Sequence, residues 1–445
     1  MSSFQTRTLS CLLALAFSAS AATNAATQPS PTTEPLLYSS NLQYLGAFRL
    51  PEGTTNQTSF SFGGDGLGYD PTKNALFITG HTWYQYTAEV SIPSPVNSTN
   101  ISTLPTATLL QPLTDALDGK RTSVNPSDPN AQNIGGYLVY NGNLVVSVYS
   151  YYDGSGTQSA SHFVRPLNLS TTGQVKGPFR VGTLYPGFVS GYMNSVPTEW
   201  QSLLGGPDLT GNCCLNIISE QSSGPSVSVF SPSDLGGTNP TPATELLGYP
   251  ISTPLAGYGS TFTQPTTATA PASGSYFNGS TKITGIVFPN GSRSVLFFGR
   301  QGLGKFCYGE GTSNSSLAGQ PADGGADLWC YDPVDSSKGT HAYPYTYEVW
   351  AYDANDLLKV KQGQEAPQAV KPYAVWALNP PINPGNTDYI GGVAYNSTTN
   401  RLYISQECVD TNCSPIIAVY QINLSGTASM TTSKTPEAPT NAQVQ

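Results

Sequence analysis

The sequence predicts an all-β protein folded as a five-bladed β-propeller with four-stranded blades. One sequence pattern, typical of a β-hairpin, occurs five times. Glycine and small residues lead to an aromatic residue, which is followed by a short turn and a second apolar run. The five stretches begin at Gly66, Gly135, Ser202, Gly285 and Gly391. One hairpin of this kind cannot bury its apolar face alone, so its repetition indicates a radial or stacked β architecture. The composition agrees with this, because a chain with 45 Gly, 36 Pro and 10% charged residues is poor in helix-forming residues.

Two further strand-like runs accompany each hairpin. A run of alternating apolar and polar residues follows it, beginning at Tyr86, Ser161, Ser226, Tyr347 and Pro415. A fourth kind of run precedes a hairpin or ends a unit, at Leu45, Ala107, Gly177, Thr244 and Tyr373. Alternation bounded by Pro, Asn or Asp is typical of half-buried strands, so each unit supplies four strands.

The order of the runs also predicts how the ring closes. The run at Leu45 precedes the first hairpin, and no equivalent run follows the last one, so the N-terminal strand is expected to complete the final blade. Such closure removes two exposed sheet edges. Six or seven blades remain an alternative, because the fourth unit, from Gly285 to Leu358, has a long insertion that can hold extra strands. A β-sandwich with long loops is the other alternative.

The ends of the chain predict export. Residues 1–26 carry Arg7, then an apolar run, then small residues, which is the order of a secretory signal peptide. The run is shorter than the roughly 20 residues needed to cross a bilayer. We expect a polar leader over residues 27–40, the propeller over 41–426 and a disordered tail over 427–445. The protein is therefore predicted to be secreted, or periplasmic if it comes from a bacterium.

The cysteines fit an oxidising compartment. Cys11 lies in the predicted signal peptide, and the six others are expected to form disulfides: Cys213, Cys214, Cys307, Cys330, Cys408 and Cys413. Local spacing pairs Cys408 with Cys413 and Cys307 with Cys330. The adjacent Cys213 and Cys214 form either a vicinal disulfide or two thiols on opposite faces of a strand.

The net charge and the surface motifs indicate which classes of molecule this protein can bind. A net charge of -9 without a basic cluster argues against binding to nucleic acid or to an anionic membrane. We expect a monomer that acts on an extracellular glycan. Asn-x-Ser/Thr sequons, which can carry glycans in a eukaryotic secretory route, occur at Asn56, Asn97, Asn100, Asn168, Asn278, Asn290, Asn314, Asn396 and Asn423.

The candidate site lies where innermost strands begin and second strands end, because both reach one face of a propeller near its axis. The candidate catalytic residues at this rim are Asp65, Glu199, Glu220, Glu407, His81 and Arg300. The candidate substrate-binding residues are Trp200, Tyr151, Asp388 and Tyr389. Purely structural roles are the alternative, either as an ion-pair network or as ligands of a single Ca²⁺ in the channel. We otherwise expect no cofactor, and three histidines are too few for a His-rich metal centre.

Two chemical schemes use these residues differently. In the first, paired carboxylates hydrolyse a glycosidic bond, one protonating the leaving oxygen and the other activating water or attacking carbon. In the second, His81 or a tyrosine abstracts a proton beside a uronate carboxyl while Arg300 neutralises the developing charge, which is the chemistry of a polysaccharide lyase. A non-catalytic, lectin-like propeller that binds through repeated loops is a third hypothesis.

The plan of four strands in five units, with acids around a channel, resembles the five-bladed propeller glycoside hydrolases. The resemblance is one of architecture and covers residues 45–424. It implies a hydrolase whose catalytic acids lie around the funnel on the innermost strands, with Asp65 and Glu199 matching the residue types of the family's base and acid.

Overall fold

A computed structural model describes Met1 and residues 30–214, 219–255, 276–382 and 390–424. The described part is all-β, with strands β1 to β24 and two short α-helices. The predicted signal peptide after Met1 and the predicted tail lie outside the described residues. No helix in these ranges is long and apolar enough to cross a membrane.

The described strands form four-stranded sheets, whose paired neighbours run antiparallel except for one parallel pair in the inserted sheet described below. The first strand, β1 (Leu42–Arg49), belongs to the last sheet. Sheet 1 contains β2 (Leu67–Asp70), β3 (Ala75–Thr79), β4 (Thr87–Ser91) and β5 (Leu109–Thr114). Sheet 2 contains β6 (Gln132–Tyr140), β7 (Asn143–Ser150), β8 (His162–Pro166) and β9 (Lys176–Phe179). Sheet 3 contains β10 (Met193–Ser195), β11 (Asp208–Thr210), β12 (Val227–Phe230) and β13 (Ala243–Leu247).

The next sheet is interrupted by an insertion. Sheet 4 begins with β14 (Lys282–Val287) and β15 (Ser294–Gly302). The inserted sheet follows, with β16 (Cys307–Thr312), β17 (Pro321–Ala322), β18 (Asp327–Tyr331) and β19 (Lys338–His341). Sheet 4 then ends with β20 (Tyr345–Asp353) and β21 (Ala374–Ala377). Sheet 5 contains β22 (Ile390–Asn396), β23 (Arg401–Gln406), β24 (Ile416–Ile422) and β1.

Sheets 1 to 5 stand around an axis. The innermost strands touch in a closed cycle, from β2 to β6, β10, β14, β22 and back to β2. The N-terminal β1 pairs antiparallel with β24, from Leu42 opposite Ile422 to Arg49 opposite Ile416. The predicted propeller of four-stranded blades closed by the N-terminal strand is therefore confirmed, and the insertion in the fourth unit holds strands of its own.

The apolar core lies between neighbouring sheets. Each cluster joins two neighbours, as where Phe77 of sheet 1 packs with Val146 of sheet 2, or Leu296 of sheet 4 with Ile404 of sheet 5. Because side chains alternate between the two faces of a strand and both faces meet a neighbour, some strands are buried along their whole length. All five residues of β3 are buried, which explains its continuous apolar sequence.

Two predicted strand segments are helices instead. The stretch expected to open the third hairpin forms α1 (Thr198–Leu204), and the run after β20 forms α2 (Ala354–Lys361). Gly205 ends α1 in a left-handed conformation at φ 92°, which glycine adopts without a steric penalty. The Asp353 side chain caps α2 by accepting from the Asn355 amide at 2.9 Å.

Candidate functional site

Glycines bring the innermost strands together at the face where they begin. The Gly392 amide donates to the Gly64 carbonyl oxygen at 2.8 Å, which joins β22 to the segment leading into β2. A Cβ atom on Gly391 would overlap the same carbonyl oxygen. The paired glycines in the repeated hairpins therefore permit close backbone approach, and residues at the strand beginnings converge on the axis.

A small depression with a cavity volume of about 30 Å³ opens at this end of the axis. Strand beginnings from sheets 1 to 4 contribute to it, together with the end of β7 and the segment that follows β11. Its polar lining includes Asp65, Tyr149, Asn212, Cys213, Gln221 and Lys282. The site is therefore assembled from distant parts of the chain, as the propeller geometry predicts.

Opposite charges meet in this depression. Lys282 Nζ lies 4.0 Å from Asp65 Oδ1, and neither side chain is fully buried. Burial raises the pKa of Tyr149 to about 12, the Asp65 charge acts in the same direction, and Lys282 opposes it. Asn133 Nδ2 donates to the Tyr149 hydroxyl at 3.4 Å. At neutral pH the tyrosine is therefore a neutral hydrogen-bonding group beside an ion pair.

Glu407 reaches the axis from sheet 5. It follows β23 directly and is 9% exposed. A Cβ on Gly391 would lie 2.7 Å from its Oε1, and one on Gly64 would lie 3.5 Å from its Cγ. Gly64 precedes Asp65 in the chain, so Glu407 packs against the segment that leads through Asp65 into β2.

Arg300 is almost buried, at 4% exposure, near the end of β15. Its Cζ atom lies 4.0 Å from the centre of the Tyr345 ring. The Tyr345 hydroxyl donates to Asp332 Oδ2 at 2.6 Å, and His341 Nδ1 lies 2.9 Å from the same oxygen. Burial alone would raise the pKa of Asp332, but the hydrogen bonds from His341 and Tyr345 outweigh it and lower that pKa. This network ties the inserted sheet to sheet 4.

His81 lies in an aromatic patch at the outer part of the rim, formed with Phe62, Trp83 and Tyr84. The His81 ring lies 5.6 Å from that of Phe62 and 5.7 Å from that of Tyr84. Its Nδ1 accepts from the Trp83 amide at 3.2 Å, and partial burial lowers the pKa of the imidazole. Trp83 is 81% exposed, so this patch presents ring surface to solvent.

The segment after β7 exposes Tyr151 and Tyr152 at the same face. Tyr308 of the inserted sheet interacts electrostatically with both. The insertion from sheet 4 therefore lies near the segment after β7.

Two candidate residues are not at the rim. Glu199 and Trp200 lie on α1, which follows the innermost β10 and thus stands at the opposite face. Trp200 is fully buried and its Nε1 donates to Glu34 Oε2 at 3.1 Å. Glu199 Oε1 accepts from the Gly291 amide at 3.4 Å, in the turn between β14 and β15. The prediction that they enter an innermost strand was wrong because the sequence TEWQSLL forms a helix.

The other candidates divide between the rim and the undescribed segments. Glu220 is exposed in the segment after β11, with its carboxylate beside Gly156 of the segment after β7. Asp388 and Tyr389 lie outside the described residues. Tyr149, Asn212 and Gln221 were missed as site residues, although Tyr149 shares the two-residue period of Tyr151 at the end of β7.

The cysteines pair as three disulfides. Cys307 bonds Cys330, Cys408 bonds Cys413, and Cys213 bonds Cys214. Both spacing-based pairings are confirmed, and the open question at Cys213 and Cys214 resolves to the vicinal bridge. Cys213 lines the axial depression, so that bridge forms part of its wall.

One group of acids has the spacing of cation ligands. Carboxylate oxygens of Glu310, Asp323 and Asp327 lie within 4.8 Å of one another in the inserted sheet. Lys338 Nζ is 2.5 Å from Asp327 Oδ2, so the ammonium group of this lysine already provides a positive charge to the acids. The single Ca²⁺ that the sequence suggested for the channel would have to share Asp65 with Lys282.

Neither a protein-family model nor a curated protein sequence matches this chain. Among solved structures, it is similar to the arabinanase of Bacillus subtilis, at 13% identity and a TM-score of 0.39, covering 84% of this chain and 96% of that one. It is similar to the GH43 endo-arabinanase of Bacillus licheniformis, at 11% identity and a TM-score of 0.39, covering 82% and 94%. A structure from a study of GH130 mannoside phosphorylases and hydrolases shares 10% identity at a TM-score of 0.40, covering 87% and 96%. At this level of similarity these structures carry no argument about the fold or the activity of this chain, and the propeller architecture rests on its own sheet topology.

Proposed function

We propose that this protein is a secreted, carbohydrate-active enzyme that hydrolyses glycans at the axial depression. The observation that carries the proposal is that Asp65 lines the axial depression while Glu407, from the neighbouring sheet, packs against Gly64, the residue before Asp65. Glycosidic hydrolysis requires two carboxyl groups that flank one bond. The exposed acid after β11, Glu220, is a third carboxylate on the same face.

The roles follow from that chemistry. One carboxyl group protonates the leaving oxygen, and the other activates water or attacks the anomeric carbon. Asp65 is the more accessible of the two, with 15% of its side chain exposed beside the Lys282 ammonium. We assign it the role that requires a charged carboxylate, and Glu407 that of the proton donor.

Exposed rings around the depression suit a sugar polymer. Trp83 and Phe62 on one side and Tyr151 and Tyr152 on another are 44% to 81% exposed. Such amphipathic rings can stack on the apolar faces of pyranose or furanose units. A chain lying across the rim would contact these rings while one linkage sits over the axis.

Cleavage of a uronate polysaccharide by elimination is the second candidate function. The residues involved would differ from the His81 and Arg300 that the sequence suggested. His81 and Arg300 belong to sheets 1 and 4, which are not neighbours, and Arg300 is packed on Tyr345. Tyr149 and Lys282 instead share the depression. Lys282 could neutralise a uronate carboxyl, but Tyr149, whose pKa burial raises to about 12, would have to lose its own proton before it could act as the base.

Export is supported by the leader sequence and the three disulfides. The test of activity is incubation of the purified protein with a panel of neutral and uronate polysaccharides. Reducing ends without ultraviolet-absorbing products would support hydrolysis, and both together would support elimination. Binding without either product would contradict both and leave a lectin-like protein.

A further inference from the structure

The asparagines of the Asn-x-Ser/Thr sequons differ in their exposure and in the hydrogen bonds of their side-chain nitrogen. In one group the Asn Nδ2 is a hydrogen-bond donor inside the protein. Asn278 Nδ2 donates to the Gly302 carbonyl at 2.8 Å and Asn396 Nδ2 to the Tyr69 hydroxyl at 2.7 Å, and both asparagines are buried. Asn56 Nδ2 donates to the Leu113 carbonyl at 2.6 Å. A glycan on such a nitrogen would break the bond and, in the buried cases, displace the core.

In the other group the nitrogen is exposed. Asn97, Asn100, Asn168 and Asn314 are exposed, and their Nδ2 atoms donate to no group in the described part of the chain. Three of them share one geometry, in which Oδ1 accepts from the hydroxyl of the serine two residues later. The distances are 2.8 Å for Asn100, 2.8 Å for Asn168 and 2.7 Å for Asn314. The amide oxygen is thus held and the nitrogen points to solvent.

The exposed sequons also differ in where they lie. Asn168 lies between β8 and β9, in a connection that leaves a third strand at the face opposite the axial depression. Asn97 and Asn100 lie between β4 and β5, in a connection that runs back along β1 and packs Leu104 with Ile382 and Val409 of the segments before β22 and after β23. Asn314 lies in the inserted sheet, after β16. Asn168 is therefore the one of these four that the topology places at the far face.

We propose that Asn97, Asn100, Asn168 and Asn314 are N-glycosylation sites and that Asn278 and Asn396 are not modified. The donor would be a lipid-linked oligosaccharide diphosphate. The asparagine Nδ2 forms a bond to the anomeric carbon, the carbon–oxygen bond to the diphosphate breaks, and the nitrogen loses one proton. An oligosaccharide on Asn168 extends from the far face and leaves the rim accessible. The proposal depends on export through a eukaryotic secretory route and not on hydrolysis.

The test is expression of the full chain in a eukaryotic secretory host, followed by enzymatic deglycosylation in H₂¹⁸O and peptide mass mapping. Deglycosylation converts each modified Asn to an ¹⁸O-labelled Asp, so occupancy is read site by site. We expect label at Asn97, Asn100, Asn168 and Asn314 and none at Asn278 or Asn396. Ser170→Ala should remove label at Asn168 alone, and Asn168→Gln should give the same loss by a second route.

Secreted protein without label at the exposed sites would overturn the proposal. So would label on Asn278 or Asn396, or retention of the unmodified chain inside the cell. Because the readout is mass, a failed activity assay leaves this result unaffected, and an unglycosylated but active protein would refute the glycan sites alone.

Discussion

Lys282 and Asp65 face each other across the propeller axis, with Nζ 4.0 Å from Oδ1. Lys282 begins β14 of sheet 4 and Asp65 precedes β2 of sheet 1, and these two sheets are not neighbours in the ring. Their pairing shows that the strand beginnings converge at the axis. The glycines that permit this approach therefore also create the candidate site.

Lys282→Gln should lower the rate of glycan hydrolysis by about tenfold, because Asp65 loses the cation beside it. Lys282→Arg keeps the charge and should restore most of the rate. Steady-state kinetics on the best polysaccharide of the panel measures the effect. Equal rates for the Gln variant and the wild type would remove Lys282 from the site.

Trp83→Ala should weaken glycan binding by about three- to tenfold without changing the melting temperature, since an exposed ring contributes through stacking and not through the core. Affinity electrophoresis in polysaccharide gels gives the binding change. Leu110→Ala, at an exposed position of β5, is the matched control. A Trp83 variant that binds as tightly as its control would exclude the aromatic patch as a binding surface.

Removing the Cys307–Cys330 bridge by a double Ser substitution should loosen the inserted sheet. The bridge closes a loop with a sequence separation of 23, for which loop entropy gives about 3 kcal/mol. We expect cleavage between residues 303 and 344 to accelerate in limited proteolysis while the rest of the propeller stays intact. The bridge between Cys408 and Cys413 has a separation of 5, and its loss should have a smaller effect. Cleavage at the wild-type rate would show that the bridge does not hold the insertion.

The strand content and ring closure followed from the sequence because each strand repeats the same buried pattern. β3 and β23 are buried along nearly their whole length because both faces meet a neighbouring sheet. Glu199 and Trp200 were misplaced because the third repeated stretch, from Ser202, was expected to open a strand, whereas α1 runs to Leu204 and Gly205 ends it. The Asp332, His341 and Tyr345 network was beyond prediction, since the insertion has no repeat to compare it with.

The contribution of Glu348 to stability should fall as the pH rises from about 4 to 8, and Glu348→Gln should remove that component of the pH dependence. Burial raises the pKa of Glu348 to about 8, so the folded state binds its proton more tightly than the unfolded chain does. Its contribution is full below the unfolded pKa and is lost as the pH passes through the folded value. Melting temperatures from pH 4 to 9 should show variant and wild type alike at low pH and the variant more stable near pH 8. Parallel curves would mean that Glu348 does not carry this dependence.

The most direct measurement compares Asp65→Asn with Glu199→Gln in the release of reducing ends from a polysaccharide that the wild type degrades. Asp65 lies at the axis and Glu199 at the opposite face, so the two variants each remove one carboxylate from different sides of the molecule. We expect the first to lose at least about a hundredfold in rate and the second to stay within about twofold of the wild type. Full activity of the Asp65 variant, or an equal loss in both, would contradict a catalytic site at the propeller axis.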